Sequence, residues 1–87
     1  MTSRNSSWLL YILECGDKSF YTGITNDLDR RIKAHQEGVA SRYTRSRLPV
    51  RLIHSEPCRN RSHALKREWE LKALTRREKE KFIKKVF

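Results

Sequence analysis

Apolar residues along this chain fall in short clusters cut apart by polar turns. The first cluster, WLLYILE (Trp8 to Glu14), is a continuous run of strand length, the pattern of a strand covered on both faces. CGD interrupts it, and KSFYTGI (Lys18 to Ile24) follows, rich in aromatic and β-branched residues. The pair predicts a β-hairpin. A three-residue CGD loop sets Glu14 opposite Lys18 and places Tyr11 opposite Tyr21 on one face. A two-residue GD loop would turn the tyrosines to opposite faces. The charge pairing favours the first register.

Periodicity then changes to helical. In TNDLDRRIKAHQEG, Asn26 is a good N-cap, Asp27 and Asp29 suit the positive end, and Gly38 is a stop signal. Leu28 and Ile32 anchor this helix, and Asp27, Arg31 and His35 recur at four-residue spacing as a stripe beside them. VASRYTRSRLP reads as a basic loop with one aromatic, Tyr43. VRLIHSE (Val50 to Glu56), bounded by Pro49 and Pro57, reads as a third strand. A second helix is expected from about Ser62 to Leu74. TRRE (Thr75 to Glu78) is a capping box that opens a third helix, with Phe82, Ile83, Val86 and Phe87 at helical spacing. The predicted order is ββαβαα. The fold class is α+β, a small three-stranded antiparallel sheet flanked by helices. The length suits one domain, residues 8–87, behind a loose polar tail at residues 1–7.

One residue conflicts with its helix. At roughly 100° per residue, with Glu68 at zero, Ala64 and Leu71 fall to one side of it and Leu65 and Trp69 to the other. Glu68 is then expected at the centre of the apolar arc, and Glu70 on the wet side. A carboxylate so placed needs an ion pair, hydrogen bonds or a metal. Lys72 and Arg31 are the candidate ion-pair partners. A magnesium ion at a cleft edge would satisfy it equally.

Charge adds a partner. The formal net charge is +10. Residues 1–41 carry five basic and five acidic side chains, whereas residues 42–87 carry fifteen and five. Most of the later cations are arginines, Arg42, Arg45, Arg47 and Arg51 among them, and the guanidinium fork matches phosphate oxygens. Nucleic acid is the partner this balance favours over an acidic protein or a membrane surface. The polar N-terminus has no apolar core of a signal peptide, and no run approaches membrane-spanning length. A soluble, cytoplasmic protein is expected. Cys15 and Cys58 form no CxxC motif, and with His54 and His63 they match no common zinc-finger spacing.

Two tyrosines on a hairpin, an arginine and a histidine on a helix, and a misplaced glutamate on a later helix follow one another in an order that resembles the GIY-YIG nuclease superfamily. LLY (Leu9 to Tyr11) stands where the first motif would be and YTG (Tyr21 to Gly23) where the second would be. DLDRRIKAHQEG is similar to the family's first helix and REWELK to its glutamate helix. Within the superfamily the chain looks like the small stand-alone bacterial (UPF0213-like) group, on the strength of LYILECGDKSFYTGIT, RYTRSRLPV and ALKREWELKALTRREKEKFI. The resemblance implies a divalent-metal-dependent endonuclease of low sequence specificity acting on DNA, DNA more than RNA, and structure-selective in repair or recombination. It implies Tyr11 as the group activating water, Tyr21 holding the phosphate or water network, Arg31 on the phosphate charge and His35 assisting proton transfer or contacting phosphate. Glu68 would hold Mg2+ or Mn2+. Gly23 would let backbone and substrate approach closely. Arg30, Arg42, Tyr43, Arg45 and Arg47 are the expected nucleic-acid contacts. A protein partner is a candidate source of specificity.

The sequence departs from the family's pattern at Leu9 and Leu10, which replace a glycine and an isoleucine, and at Thr22. The late asparagine of some members has no counterpart after Asn60. The alternative reading is a basic nucleic-acid-binding module with little or no catalysis.

Overall fold

A computed structural model describes residues 7–86, apart from the side chains of Lys85 and Val86. The remainder of the expected tail, residues 1–6, and the expected contributions of Val86 and Phe87 to the last apolar face lie outside the described residues. The elements are β1 (Trp8–Glu14), β2 (Phe20–Thr25), α1 (Leu28–Gln36), α2 (Arg42–Arg45), β3 (Arg51–Cys58), α3 (Arg61–Lys72) and α4 (Arg76–Val86). The three strands form one antiparallel sheet in the order β2-β1-β3. The α+β class and the three-stranded sheet are those expected. One element is additional: the segment read as a basic loop contains the short helix α2, started by Ser41, whose side chain accepts a hydrogen bond from the Tyr43 amide.

The central place of β1 accounts for its unbroken apolar run, because alternate side chains enter two different cores. Leu10 and Ile12 join Ile53 and Leu71, with Phe20, Leu74, Phe82 and Ile83 packed around them. Tyr11 and Leu13 join Cys15 and Val50, with Tyr21, Leu28 and Ile32 around them. The second core sets two tyrosines, Tyr11 and Tyr21, among its aliphatic residues, and it is the one that contains the candidate chemistry.

The hairpin register differs from the expected one by two residues. Glu14 pairs with Phe20, Leu13 with Tyr21, and Tyr11 with Gly23. The connection is longer than CGD. Cys15 N–H donates to the Ser19 carbonyl at 2.8 Å and Lys18, at φ 72°, donates to the Cys15 carbonyl at 2.9 Å. Glu14 finds its cation on the other neighbouring strand, in Arg51 at 2.8 Å, rather than in Lys18. A two-residue slip leaves every side chain on its face, since the strand period is two. Tyr11 and Tyr21 thus share a face as predicted, one step apart on the diagonal, with ring centroids 6.3 Å apart.

Asp27, not Asn26, caps α1, its carboxylate accepting from the Arg30 amide at 3.3 Å. Gly38 follows the helix at φ 79°, the stop expected of it. The capping box of α4 forms as predicted: Thr75 N–H donates to Glu78 at 2.8 Å, and Glu78 N–H to Thr75 Oγ1 at 3.2 Å. Among the described residues, no helix is long and apolar enough to cross a membrane.

Candidate active site

Tyr11 sits opposite Gly23 in the β1–β2 ladder, and this pairing sets the position of its phenol. A Cβ on Gly23 would stand 2.6 Å from the Tyr11 hydroxyl oxygen and 2.7 Å from Cζ. Only a residue without a side chain lets the Tyr11 ring lie flat across β2 and reach toward α1. The group that approaches Gly23 closely is therefore the protein's own Tyr11, where the resemblance had implied the substrate.

Helix α1 meets that hydroxyl with two side chains one turn apart. Arg31 Nε donates to the Tyr11 oxygen at 3.4 Å, and His35 Nε2 lies 2.8 Å from it. Tyr11 and His35 have no exposed surface. Tyr21 closes the cluster, its ring 5.0 Å from the His35 ring. Asp27, expected on the same stripe, turns away to cap the helix.

Sequence reasoning missed the fourth partner. His35 Nδ1 lies 2.8 Å from Thr44 Oγ1, and Thr44, completely buried, donates in turn to the Ser41 carbonyl at 3.4 Å. The signal available was a small polar residue, Thr44, between the cations of RYTR. Its meaning depended on α2, whose single turn delivers that hydroxyl to α1.

Burial and charge shift these groups in opposite directions. Burial raises the Tyr11 phenol above its ordinary value, only partly offset by the Arg31 hydrogen bond. The hydrogen bond from Arg31 to Tyr11 raises the Arg31 guanidinium further. His35 is lowered to about 4, first by burial and then by the Arg31 charge. At neutral pH the cluster holds a neutral phenol, a neutral imidazole and one cation.

The loop cations do not all stand free. Arg47 donates to Asp17 at 3.0 Å and to the Tyr43 carbonyl at 3.0 Å, and its guanidinium lies 3.9 Å from the centre of the Tyr43 ring. Tyr21 lies 6.1 Å from that ring. Arg30, Arg42 and Arg45 are exposed and, among the described residues, pair with no carboxylate.

Glu68 is not at the centre of a buried arc. Helix α3 packs on β1 and β2 through a narrower edge, Ala64 and Leu71, while Leu65 is 38% and Trp69 72% exposed. The carboxylate stands at the margin, 3.2 Å from the Lys72 ammonium, which is the ion-pair reading raised from the sequence. Its charge reaches the Tyr11 phenol and contributes to raising it. Glu70 is half-exposed rather than fully wet, and shares Arg67 with Glu56. Among the described residues, no cluster of three or more His, Cys, Asp or Glu side chains could hold a metal, and Cys15 and Cys58 are free thiols. The Glu68 carboxylate at this margin fits as the single protein ligand that a largely hydrated magnesium ion would accept.

The site is thus a tyrosine laid across a glycine on paired strands, facing an arginine and a histidine from the next helix. The GIY-YIG catalytic domain matches residues 7–81, and the chain belongs to that family. Within the family it is similar to proteins named UPF0213. One from Bacillus velezensis is 45% identical over 78 residues, covering 90% of this chain and 79% of the relative. One from Haloquadratum walsbyi is 47% identical over 76 residues, covering 87% and 85%. The solution NMR structure of the UPF0213 protein BH0048 from Bacillus halodurans matches with a TM-score of 0.60 at 45% identity, over 90% of this chain and 83% of that one. That of protein EF2693 from E. faecalis matches with a TM-score of 0.62 at 41% identity, over 92% and 85%.

Proposed function

We propose that this protein is a divalent-metal-dependent endonuclease that hydrolyses phosphodiester bonds, in DNA before RNA, with low sequence specificity. The observation that carries the reading is the Tyr11 phenol held between Arg31 Nε and His35 Nε2. Family membership supports the reaction class.

The proton path follows from hydrogen-bond accounting. Thr44 donates its hydroxyl hydrogen to the Ser41 carbonyl, so its oxygen accepts from His35 Nδ1–H. Nε2 is then bare and accepts the Tyr11 O–H. A water attacking phosphorus gives its proton to the Tyr11 oxygen, while the phenolic proton passes to Nε2. The new P–O bond forms as the bond to the leaving oxygen breaks, and that oxygen takes its proton from solvent.

Arg31 links binding to this relay. Its charge is one of the two causes of the weak basicity of His35. A phosphate paired with Arg31 compensates that charge and makes His35 a better acceptor when substrate is present. The same movement draws the guanidinium off the buried Tyr11 oxygen and opens it to water. Arg31 also stabilises the charge that gathers on the phosphate oxygens. Tyr21 orients the water and phosphate beside them. Glu68 would hold the divalent ion, Mg2+ or Mn2+, which when bound supplies Lewis acidity at the phosphate. Arg30, Arg42, Tyr43, Arg45 and Arg47 would lie along the strand's backbone, and structure-selective work in repair or recombination in the cytoplasm suits a domain that reads backbone rather than bases.

A second reading, a binding module without hydrolysis, has one observation in its favour: Glu68 already has a cation in Lys72. Nicking of supercoiled plasmid with magnesium, with manganese and with chelator separates the two. Glu68→Gln should lower metal-dependent nicking by orders of magnitude while Glu70→Gln keeps it. Full nicking by a folded Glu68→Gln protein would remove Glu68 from the mechanism, and no nicking by the parent under any of the three conditions would favour the binding module.

A further inference from the structure

Tryptophan is seldom left in water, yet Trp69 is 72% exposed. Among the described residues, no hydrogen bond or ring contact engages its indole. It directly follows Glu68, and its neighbours on the α3 surface are Leu65 one turn before it, Lys66 three residues before and Lys72 three residues after. Arg61 begins the same row, its guanidinium 5.9 Å from the Trp8 ring. An open aromatic face between cationic side chains is the composition of a single-strand-binding surface, where bases stack on rings and phosphates meet the charges. Among the described residues the apolar area of this α3 row, Leu65 and Trp69, is far below what a stable protein interface requires. Tyr43, also exposed, already has Arg47 over its ring.

We propose that Trp69 is a stacking platform for an unpaired base, holding the single-stranded part of a nucleic acid beside Glu68. The inference rests on the nuclease reading for its substrate and adds the structural feature selected. In a duplex both faces of each base are covered by its neighbours, so an indole finds a free face only where a strand is unpaired. Flaps, gaps and frayed ends provide such a base, whereas continuous duplex offers only its backbone to the cations.

The test is a binding measurement in chelator, with single-stranded oligothymidylate and with a matched duplex. The chain has two tryptophans. In a Trp8→Phe background, Trp69 is the sole fluorescent indole, and the single strand should quench it strongly and the duplex little. Trp69→Ala should weaken single-strand binding by roughly 5- to 100-fold, the loss of one base–aromatic stack, and change duplex affinity less than about twofold. Trp69→Phe should retain most of the affinity. Because Trp69 is exposed, the melting temperature should not change. Equal weakening of both ligands, unquenched fluorescence, or a Trp69 buried in a dimer by sedimentation would each overturn the platform. The outcome is separable from catalysis. A protein that never cuts but loses strand affinity on Trp69→Ala keeps the platform and loses the nuclease reading. One that nicks normally, with strand binding unaffected by Trp69→Ala, keeps the nuclease and loses the platform.

Discussion

The Tyr11 hydroxyl lies 2.8 Å from His35 Nε2, and neither residue has any surface in contact with solvent. Two groups that could exchange a proton are thus held together by the fold before any substrate arrives. Tyr11→Phe removes one oxygen and keeps the ring. Nicking should fall by roughly 10²- to 10⁴-fold, the usual contribution of a positioned proton acceptor. Stability should fall by about 1–3 kcal/mol, because His35 Nε2 is left buried without a partner. A plasmid assay beside a denaturant titration checks both, and unchanged nicking would remove Tyr11 from the chemistry.

Gly23→Ala should be as damaging as a change at Tyr11 itself. The new methyl would meet the Tyr11 oxygen and Cζ, a rigid ring end with no free space to yield. Overpacking of this kind costs about 1–3 kcal/mol. Activity should fall further than the melting temperature accounts for, since the ring must leave Arg31 and His35. Adding Tyr11→Phe to Gly23→Ala should then cost little more activity, which a double-mutant cycle reads directly.

Thr44→Val keeps shape and removes the hydroxyl 2.8 Å from His35 Nδ1, which the proposed relay uses as the acceptor of the Nδ1 proton. With that acceptor gone, the imidazole proton should shift to Nε2, where it meets the Tyr11 oxygen. Nitrogen chemical shifts of the His35 ring read the tautomer. Nicking should fall at least tenfold, as expected of a misdirected general acceptor, and Thr44→Ser should restore most of it. A simple packing defect would lower stability without moving the tautomer.

His35 also predicts a pH dependence. Its folded value of about 4 lies below the ordinary 6.5, so protons bind the unfolded chain more readily. The stabilisation is complete above about 6.5 and is lost as pH falls through the window down to about 4, on the order of 3 kcal/mol in all. The stability difference between the parent and His35→Gln should shrink across that window. In an NMR titration His35 should stay neutral at pH 5.5. Titration near 6.5 would show that the ring is not shielded as described.

The loop arginines should divide into two kinds. Arg42 and Arg45 are exposed and free of carboxylates among the described residues, whereas Arg47 ties Asp17 to the Tyr43 carbonyl. Arg42→Ala with Arg45→Ala should flatten the salt dependence of DNA binding, by a slope of roughly 0.9 for each phosphate no longer neutralised. Arg47→Ala should lower stability as well. A salt slope unchanged in the double variant would place the backbone-binding cations elsewhere.

Much of this was legible along the chain because it depends on local rules. Strand length and composition marked β1 as buried on both faces, the TRRE box marked the start of α4, and Gly38 marked the end of α1. The order of Tyr11, Tyr21, Arg31, His35 and Glu68, with the motifs around them, was enough to identify the family. Periodicity of two placed both tyrosines on one face even though the loop length was misread, because the error was an even number of residues. What periodicity cannot state is which residue lies opposite which. That Tyr11 crosses Gly23, that Glu14 answers Arg51 on β3, and that Leu65 and Trp69 face water were settled only when the chain closed. A helix's apolar arc shows which residues could be buried, but the angle at which α3 meets the sheet selects those that are. Thr44 shows the limit most clearly: its hydroxyl has meaning only 2.8 Å from His35, nine residues away in sequence and on another helix.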